Sequence, residues 1–212
     1  MTIASDRRAV NKARYRDAIL DAARQLIAER GGPQFSVDEL AERADVSRRT
    51  VFNHFVSVDE ILLTLCTDLL AVLIDGIVAQ LKAAPGTEID LHALLGEIEN
   101  AMRAPALVHA INEILTILGE SDGPSSRADA LKQIAFNRIA REMVDEIALH
   151  IGSADPLEIE ILLGSVMAGM IVIADRWVAA TAAAMDPPSL REWDRLVTLL
   201  FTRLRSGYGS AA

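Results

Sequence analysis

The chain has 212 residues, of which 51% are hydrophobic and 4% aromatic, and it carries a net charge of −9. This apolar content excludes a globally disordered chain, and the dominance of Ala and Leu over aromatic residues favours helix over strand. A single cysteine, Cys66, excludes an internal disulfide and is typical of a reducing, cytoplasmic setting.

The first predicted helix runs from about residue 11 to residue 30, where a Gly-Gly-Pro sequence ends it. Upstream of it, Arg7 and Arg8 are not followed by an apolar run, so we expect no signal peptide. Residues at helical spacing form the predicted apolar face of this helix: Tyr15, Ile19, Ala22 and Leu26.

Two short helices are predicted next, each preceded by a serine that can cap it. Ser36 is followed three residues later by Glu39, which completes a capping box before a helix at about 37–44. Ser47 caps the next helix, at about 48–55.

A long fourth helix begins with the same kind of signal. Ser57 and Glu60 form a second capping box, and Val56 is placed to form a hydrophobic staple with Ile61. The helix continues with one apolar face until Pro85 ends it.

Five further helices are predicted, at about 88–103, 105–119, 126–152, 156–185 and 189–206. The longest apolar run, at 161–174, is shorter than the roughly 18 residues that a membrane span needs, so we expect a buried helix there. The predicted fold is all-α, with about nine helices and no strand. We expect two domains, at 1–56 and 57–212.

The segment 37–55 fits a helix-turn-helix, which needs apolar contacts between two short helices and a tight turn. Leu40 and Val51 supply such contacts, and Asp45, which tolerates left-handed backbone, occupies the turn position where glycine is commonest. Burial of this core leaves the polar residues of the second helix facing outward, where Arg can read guanine and Asn can read adenine in the major groove.

The charge of the chain is divided in a way that suits this interpretation. Residues 1–55 have a net charge of +2, and the remainder has a net charge of −11. Such a basic head on an acidic body indicates a local contact with a polyanion. The basic excess lies in Arg7, Arg8, Lys12, Arg14, Arg16, Arg48 and Arg49.

The TetR family of transcriptional regulators has a signature that is similar to the segment 35–55, FSVDELAERADVSRRTVFNHF, followed by SVDEIL at 57–62. The specific resemblance covers about residues 13–62. It implies a homodimeric, all-α regulator of double-stranded DNA, with a DNA-binding helix-turn-helix head at 1–56 and a helical ligand-binding and dimerisation domain at 57–212. A small ligand in the second domain would change the distance between the two heads.

The chain departs from the family pattern at three positions. The family usually has glycine where Asp45 stands, often tyrosine where Phe52 stands and usually lysine where Val58 stands. The tyrosine and the lysine contact phosphates in the family, so the resemblance implies that two backbone contacts are missing here.

The predicted DNA-binding residues lie at the starts of the second and third helices and along the third: Ser36, Val37, Ser47, Arg48, Arg49, Thr50, Asn53 and His54. A solvated charge pair is the alternative for Arg48 and Arg49. His54 either contacts a phosphate or satisfies carbonyls at the helix end. Phe52 and Phe55 are interpreted as packing residues.

The predicted effector pocket is mostly apolar and consists of Leu62, Leu65, Leu69, Met102, His109, Asn112 and Trp177. Surface positions are the alternative for His109 and Asn112, and the helix core is the alternative for Trp177. Cys66 is expected to be a buried structural residue.

The apolar faces of the last two helices exceed what we expect a single chain to cover, so they are predicted to form the dimer interface. Its predicted residues are Gly164, Ala168, Trp193, Leu196, Leu200 and Leu204. The two small residues on the eighth helix indicate close helix packing, which a dimer seam and internal packing explain equally well.

No nucleophile with a placed base, no glycine-rich phosphate loop and no set of metal ligands is evident, so we expect no enzyme activity, no cofactor and no metal. The predicted function is a ligand-responsive repressor that a small apolar effector releases from its operator. The alternative is a helical small-molecule binding protein or enzyme with a vestigial head, which the acidic body and the missing phosphate contacts favour.

Overall fold

The computed structural model describes residues 3–83, 91–119, 127–148 and 155–206. These ranges contain nine α-helices and no strand, which confirms the predicted fold class. The helices are α1 (Ile3–Arg30), α2 (Val37–Arg43), α3 (Arg48–His54), α4 (Val58–Ala83), α5 (Leu91–Arg103), α6 (Pro105–Leu118), α7 (Arg127–Ala148), α8 (Pro156–Thr181) and α9 (Pro187–Ser206).

The chain divides into two compact units. The first contains Met1–Asp68 and Glu113–Ala135, and the second contains Leu69–Asn112 and Phe136–Ala212. The predicted division at residue 56 follows the helix-turn-helix motif and not compactness, and it stays a prediction about function.

In the first unit, α1, α2 and α3 pack on one another. Three of the four residues predicted for the apolar face of α1 are buried, whereas Tyr15 is 40% exposed. The buried side chains come from all of these helices and from the start of α4; among them are Ile19, Leu26, Leu40, Val51, Phe55, Ile61 and Leu65.

In the second unit, α8 packs along α9, and α5 contacts both. Trp177 of α8 and Trp193 of α9 meet edge to face, with ring centroids 5.6 Å apart. Each indole N–H donates to a backbone carbonyl, at 2.9 Å to Ser189 and at 2.8 Å to Met102. Both rings are buried, so their burial and these bonds together stabilise the packing of the three helices.

An ion network joins α5 to α9 at the surface of the second unit. Glu99 accepts from Arg103 at 2.7 Å and pairs with Arg205 at 2.5 Å. Arg103 also pairs with Asp194 and donates to Thr198. The carboxylate of Glu99 is partly buried, which raises its pKa, but the two guanidinium groups outweigh this and hold the pKa below its usual value.

Several helix ends differ from the predicted ones. Helix α1 begins at Ile3, and α8 ends at Thr181 because Ala182 and Ala183 have left-handed φ angles of 51° and 54°. Helix α9 begins at Pro187 and not at the predicted 189, because Asp186 acts as the cap by accepting the Ser189 N–H at 2.9 Å. The predicted start of the fifth helix at 88 and the predicted end of the seventh at 152 lie outside the described residues.

Candidate nucleic-acid interface

The start of α2 is fixed by the capping box that the sequence predicts. The Ser36 hydroxyl accepts the Glu39 N–H at 3.2 Å, and the Glu39 carboxylate accepts the Ser36 N–H at 2.8 Å. Arg30, placed by the end of α1, also donates to Glu39 at 2.5 Å. Arg30 and the bonds from Ser36 lower the pKa of Glu39 to about 2, so this carboxylate stays ionised and ties α1 to α2.

The turn between α2 and α3 has the conformation expected at Asp45. Its φ of 52° lies in the left-handed region, which Asp tolerates better than most residues. The Val46 N–H donates to the Ala41 carbonyl at 3.0 Å, which closes the turn. Because Ala41 is small and buried, α3 can cross α2 closely.

Helix α3 is anchored on one side and open on the other. Ser47 caps it by accepting the Thr50 N–H at 3.1 Å, and Val51 fixes its inner face with 2% exposure. The outer face consists of four exposed residues, Arg48, Arg49, Phe52 and Asn53.

Three predicted DNA-contacting hydroxyls already have partners in the caps of α2 and α3. The Ser47 and Thr50 hydroxyl oxygens lie 2.8 Å apart, and the Ser36 hydroxyl lies 2.9 Å from Glu39. Val37 is half-buried at the start of α2. The exposed face of α3 therefore offers more unengaged hydrogen-bonding groups than the caps do.

Arg48 is held between two neighbours on the outer surface. Its guanidinium is 3.2 Å from both carboxylate oxygens of Asp38 on α2 and 5.8 Å from the ring centroid of Phe52, one turn further along α3. Arg49 and Asn53 make no side-chain hydrogen bond or ion pair within the described part of the chain. These two side chains are available to an external partner.

Other arginines of the head are neutralised within it. Arg43 forms a bidentate pair with Glu29, at 2.7 and 2.9 Å, and this pair lowers the pKa of the glutamate. Arg24 is paired with Asp21 at 2.8 Å and with Asp68 of α4 at 3.5 Å. These arginines hold α1, α2 and α4 in place, so they are less available for a polyanion than Arg49 is.

A second basic group lies where α1 meets the end of α3. Tyr15 contacts the His54 ring edge to face, with centroids 6.3 Å apart, and Arg16 lies over the buried Phe55 ring at 4.6 Å. Partial burial, together with the charges of Lys12 and Arg16, lowers the pKa of His54. The His54 ring makes no hydrogen bond to a backbone carbonyl within the described residues, which favours the phosphate alternative over the helix-end one.

Three apolar or aromatic residues that the sequence predicts to pack inside the head are exposed instead. Phe55 is a packing residue as predicted, but Phe52 is 47% exposed and Tyr15 is 40% exposed. The predicted staple from Val56 to Ile61 is wrong, because Val56 is 86% exposed. The sequence signal for the exposure of Tyr15 is that two arginines, Arg14 and Arg16, flank it.

The start of α4 is also built differently from the prediction. The Ser57 hydroxyl accepts the Glu60 N–H at 3.2 Å, but the Glu60 carboxylate accepts the N–H of Val56 and not that of Ser57. Asp59, beside the half-buried Val58, accepts from Arg127 at 2.9 Å. An arginine from α7 thereby fixes the N-terminus of α4.

The predicted pocket residues are distributed over both units. Leu62 and Leu65 are buried in the first, and Met102 and Trp177 are buried in the second. Leu69 and Asn112 are half-buried, and they too belong to the second unit. The effector pocket stays a prediction, and the contacts of Trp177 favour its alternative as a core residue.

The structure also locates His109 of the predicted pocket and the cysteine Cys66. His109 is exposed, with its Nδ1 atom 2.8 Å from the Pro105 carbonyl of the preceding turn, which favours the surface alternative. Cys66 is buried as predicted, and burial together with the charge of Glu113 raises the pKa of its thiol to about 12. No cluster of three metal-ligating side chains occurs in the described ranges.

The predicted dimer residues fall into two groups. Trp193, Leu196 and Leu200 are buried within a single chain, so the expectation that one chain cannot cover them is wrong. The reason is that α5 and α8 pack against the apolar face of α9. Leu204 is half-buried, whereas Gly164 and Ala168 are exposed on α8.

The comparisons with known proteins agree on the head and on the fold. Residues 19–65 match the family model described as bacterial regulatory proteins, tetR family. A TetR-family transcriptional regulator from Streptomyces coelicolor superposes with a TM-score of 0.55 and 18% identity, covering 89% of this chain and 98% of that one.

A second solved structure, from Mesorhizobium loti and assigned to the TetR-family transcriptional regulators, gives a TM-score of 0.50 and 16% identity. The match covers 90% of this chain and 96% of that chain. The search of curated proteins found no match. The resemblance seen in the sequence is thus confirmed: residues 19–65 match the tetR family model, and the chain shares its fold with these two solved structures.

Proposed function

We propose that the chain is a cytoplasmic repressor that binds operator DNA as a homodimer and is released by a small apolar effector. The observation that carries this proposal is the open face of α3, where Arg49 and Asn53 have no partner within the described residues. In a helix-turn-helix this face enters the major groove.

Base reading follows from the side chains on that face. Arg48 and Arg49 present guanidinium forks that match the acceptors of guanine, and Asn53 presents an amide that matches adenine. The basic group of Lys12, Arg16 and His54 then provides phosphate contacts that set affinity without reading sequence.

The homodimer proposal rests on an exposed apolar stripe along α8. Leu157, Ile161 and Val172 are each about 60% exposed, and the small Gly164 and Ala168 lie between them at helical spacing. Leu199 of α9 is exposed as well. We define the five residues on α8 as the α8 stripe, which no other helix buries within the described part of the chain.

A second copy is the occupant that best fits the α8 stripe. A two-fold axis lets one stripe cover its own equivalent, and the small residues allow two helices to approach closely. Two heads are also what a helix-turn-helix protein needs to read two half-sites about 34–36 Å apart.

Helix α8 is also long and apolar enough to cross a membrane, and 39% of its most apolar 18-residue stretch is buried. Charged residues occur at both ends of the helix, at Glu158, Glu160, Asp175 and Arg176. A core helix of a soluble protein can have the same length and composition. In our proposal, the dimer interface covers the part of α8 that is exposed in the single chain.

The effector mechanism depends on α4, which continues from the head as one helix of 26 residues. A ligand that packs against this helix would change its tilt and thereby the separation of the two heads. The ligand would weaken operator binding by the free-energy difference between its binding to the DNA-competent and to the altered separation of the heads.

A mobility-shift titration with the DNA upstream of the protein's own gene tests the proposal. Wild-type protein should form a discrete complex, and Arg48→Ala and Asn53→Ala should each lower affinity by about 1–3 kcal/mol. Arg141→Ala, which removes an exposed arginine from α7, is the matched control and should bind like wild type.

The alternative of a carrier or enzyme with a vestigial head predicts a different result. In that case wild type and all three variants would bind every duplex equally weakly, with no preference for the upstream DNA.

A further inference from the structure

Phe52 is an apolar side chain on the face of α3 that is otherwise polar. It is 47% exposed, whereas the neighbouring Val51 and Phe55 are 2% and 1% exposed. The core of the head is therefore complete without it. A phenyl ring left in water on this helix gains hydrophobic free energy only when another surface covers it.

The ring has fixed neighbours on the outer face. Arg48 lies one turn before Phe52 with its guanidinium 5.8 Å from the ring centroid, and Asn53 is the next residue along the chain. Asp38 pairs with the same guanidinium at 3.2 Å. Phe52 thus lies between two groups that the proposed function assigns to base reading.

The major groove offers one apolar methyl group to such a ring. Guanine, cytosine and adenine present hydrogen-bonding groups there, whereas thymine presents a 5-methyl group that apolar side chains contact. A phosphate offers nothing comparable to a phenyl ring, since the ring has no donor.

We propose that Phe52 determines specificity by packing against the 5-methyl group of a thymine in each operator half-site, beside the base pair that Arg48 reads. This inference rests on the proposed function, because it requires α3 to lie in the major groove.

The test compares thymine with deoxyuridine, which lacks only the methyl group. Duplexes are first selected from a random library by wild-type protein, and each thymine is then replaced in turn. Wild type should lose about fourfold in affinity at one thymine per half-site, as expected for one methyl group removed from water. The other replacements should have little effect.

Two variants assign that penalty to the ring. Phe52→Ala should bind the thymine and deoxyuridine duplexes equally at that position, and Phe52→Leu should retain part of the penalty. Val56→Ala, which removes an exposed apolar group outside α3, should keep the full wild-type penalty. Thermal unfolding of each variant shows that the head is intact.

The outcomes separate the inference from the proposed function. If no duplex is selected, the proposed function fails and this inference fails with it. If duplexes are selected but wild type is indifferent to every deoxyuridine, the proposed function stands and the inference is overturned. A penalty that persists in Phe52→Ala also overturns it, because another side chain then contacts the methyl group.

Discussion

The guanidinium of Arg48 on α3 is paired with the carboxylate of Asp38 on α2, 3.2 Å away, at the surface that we propose contacts DNA. Both side chains are well exposed, so the pair adds little to the stability of the fold. Its effect falls on binding instead, because Arg48 must leave the carboxylate, or share it, to reach a base edge.

Asp38→Asn should therefore strengthen operator binding. The expected gain is up to about 1 kcal/mol, or roughly fivefold, since an exposed pair of this kind is worth no more than that. Glu42→Gln removes an equal charge from another exposed position of α2 and is the control. Equal gains in both variants would show a general charge effect and not the release of Arg48. The measurement is fluorescence anisotropy with a labelled operator.

Val58→Lys should steepen the salt dependence of operator binding. In the family pattern a lysine at this position contacts phosphate, so each head would gain one contact and each dimer two. The slope of log K against log salt should then steepen by roughly 2, with little change in sequence preference.

Ala180→Lys adds the same charge at an exposed position of α8 and should leave the slope unchanged. A Val58→Lys slope equal to that of wild type would mean that the start of α4 lies away from the DNA backbone.

His54 should make operator binding depend on pH. Partial burial and the charges of Lys12 and Arg16 lower its pKa below 6.5 in the free protein, so the ring is neutral at pH 7. A phosphate beside the ring favours its charged form and raises the pKa in the complex. Affinity should therefore rise as the pH falls from 7 towards the free-protein pKa.

The same lowered pKa has the opposite consequence for folding. Because the unfolded chain binds a proton more readily at His54, its contribution to stability is present above about pH 6.5 and is lost as the pH falls below it. His54→Gln should remove both effects, whereas His109→Gln, at an exposed position on α6, should remove neither. Operator titrations and thermal melts at pH 5.5 to 8 (roughly the range in which His titrates) would measure both effects.

Ser189→Ala should stabilise the protein or leave its stability unchanged. The Ser189 hydroxyl is buried and finds no hydrogen-bond partner within the described residues, and an unpaired buried hydroxyl costs about 1–3 kcal/mol. Thr64 is also buried, but its hydroxyl donates to the Glu60 carbonyl at 2.8 Å. Thr64→Ala should therefore destabilise by about 1–2 kcal/mol. Urea unfolding should show a loss of stability in Thr64→Ala and none in Ser189→Ala, and a loss in both would show that the Ser189 hydroxyl is satisfied.

Ile161→Glu should convert the proposed homodimer into folded monomers. Ile161 is 60% exposed on the α8 stripe, so a charge there disturbs a partner chain but not the subunit core. Leu200→Glu should instead unfold the second unit, because Leu200 is buried. Ala130→Glu, on the exposed side of α7, is the control for added charge. Light scattering gives the masses, and a monomeric wild type at micromolar concentration would contradict the proposal.

Local signals in the sequence predicted the helix-turn-helix well. Ser36 and Ser47 act as caps through bonds to residues three positions along, and the strain at Asp45 depends on one φ angle. All of these interactions lie within a few residues, so spacing alone reveals them.

Features that depend on distant parts of the chain were not predictable in this way. Helical spacing shows that Trp193 and Leu200 share an apolar face, but it cannot show that α5 and α8 cover that face. The same limit explains Phe52 and Val56, which are apolar by type but exposed by position. The sequence pattern shows whether a helix face is apolar, and the packing of the other helices determines whether that face is buried.

The contact of Trp177 with Trp193 gives the protein a built-in optical reporter. The chain contains two tryptophans, and both lie in the second unit. Tryptophan emission therefore follows the separation of α8 from α9 and is silent about the helix-turn-helix. Comparison of its transition with far-ultraviolet circular dichroism, which detects all helices, would show whether the first unit unfolds together with the second unit or independently of it.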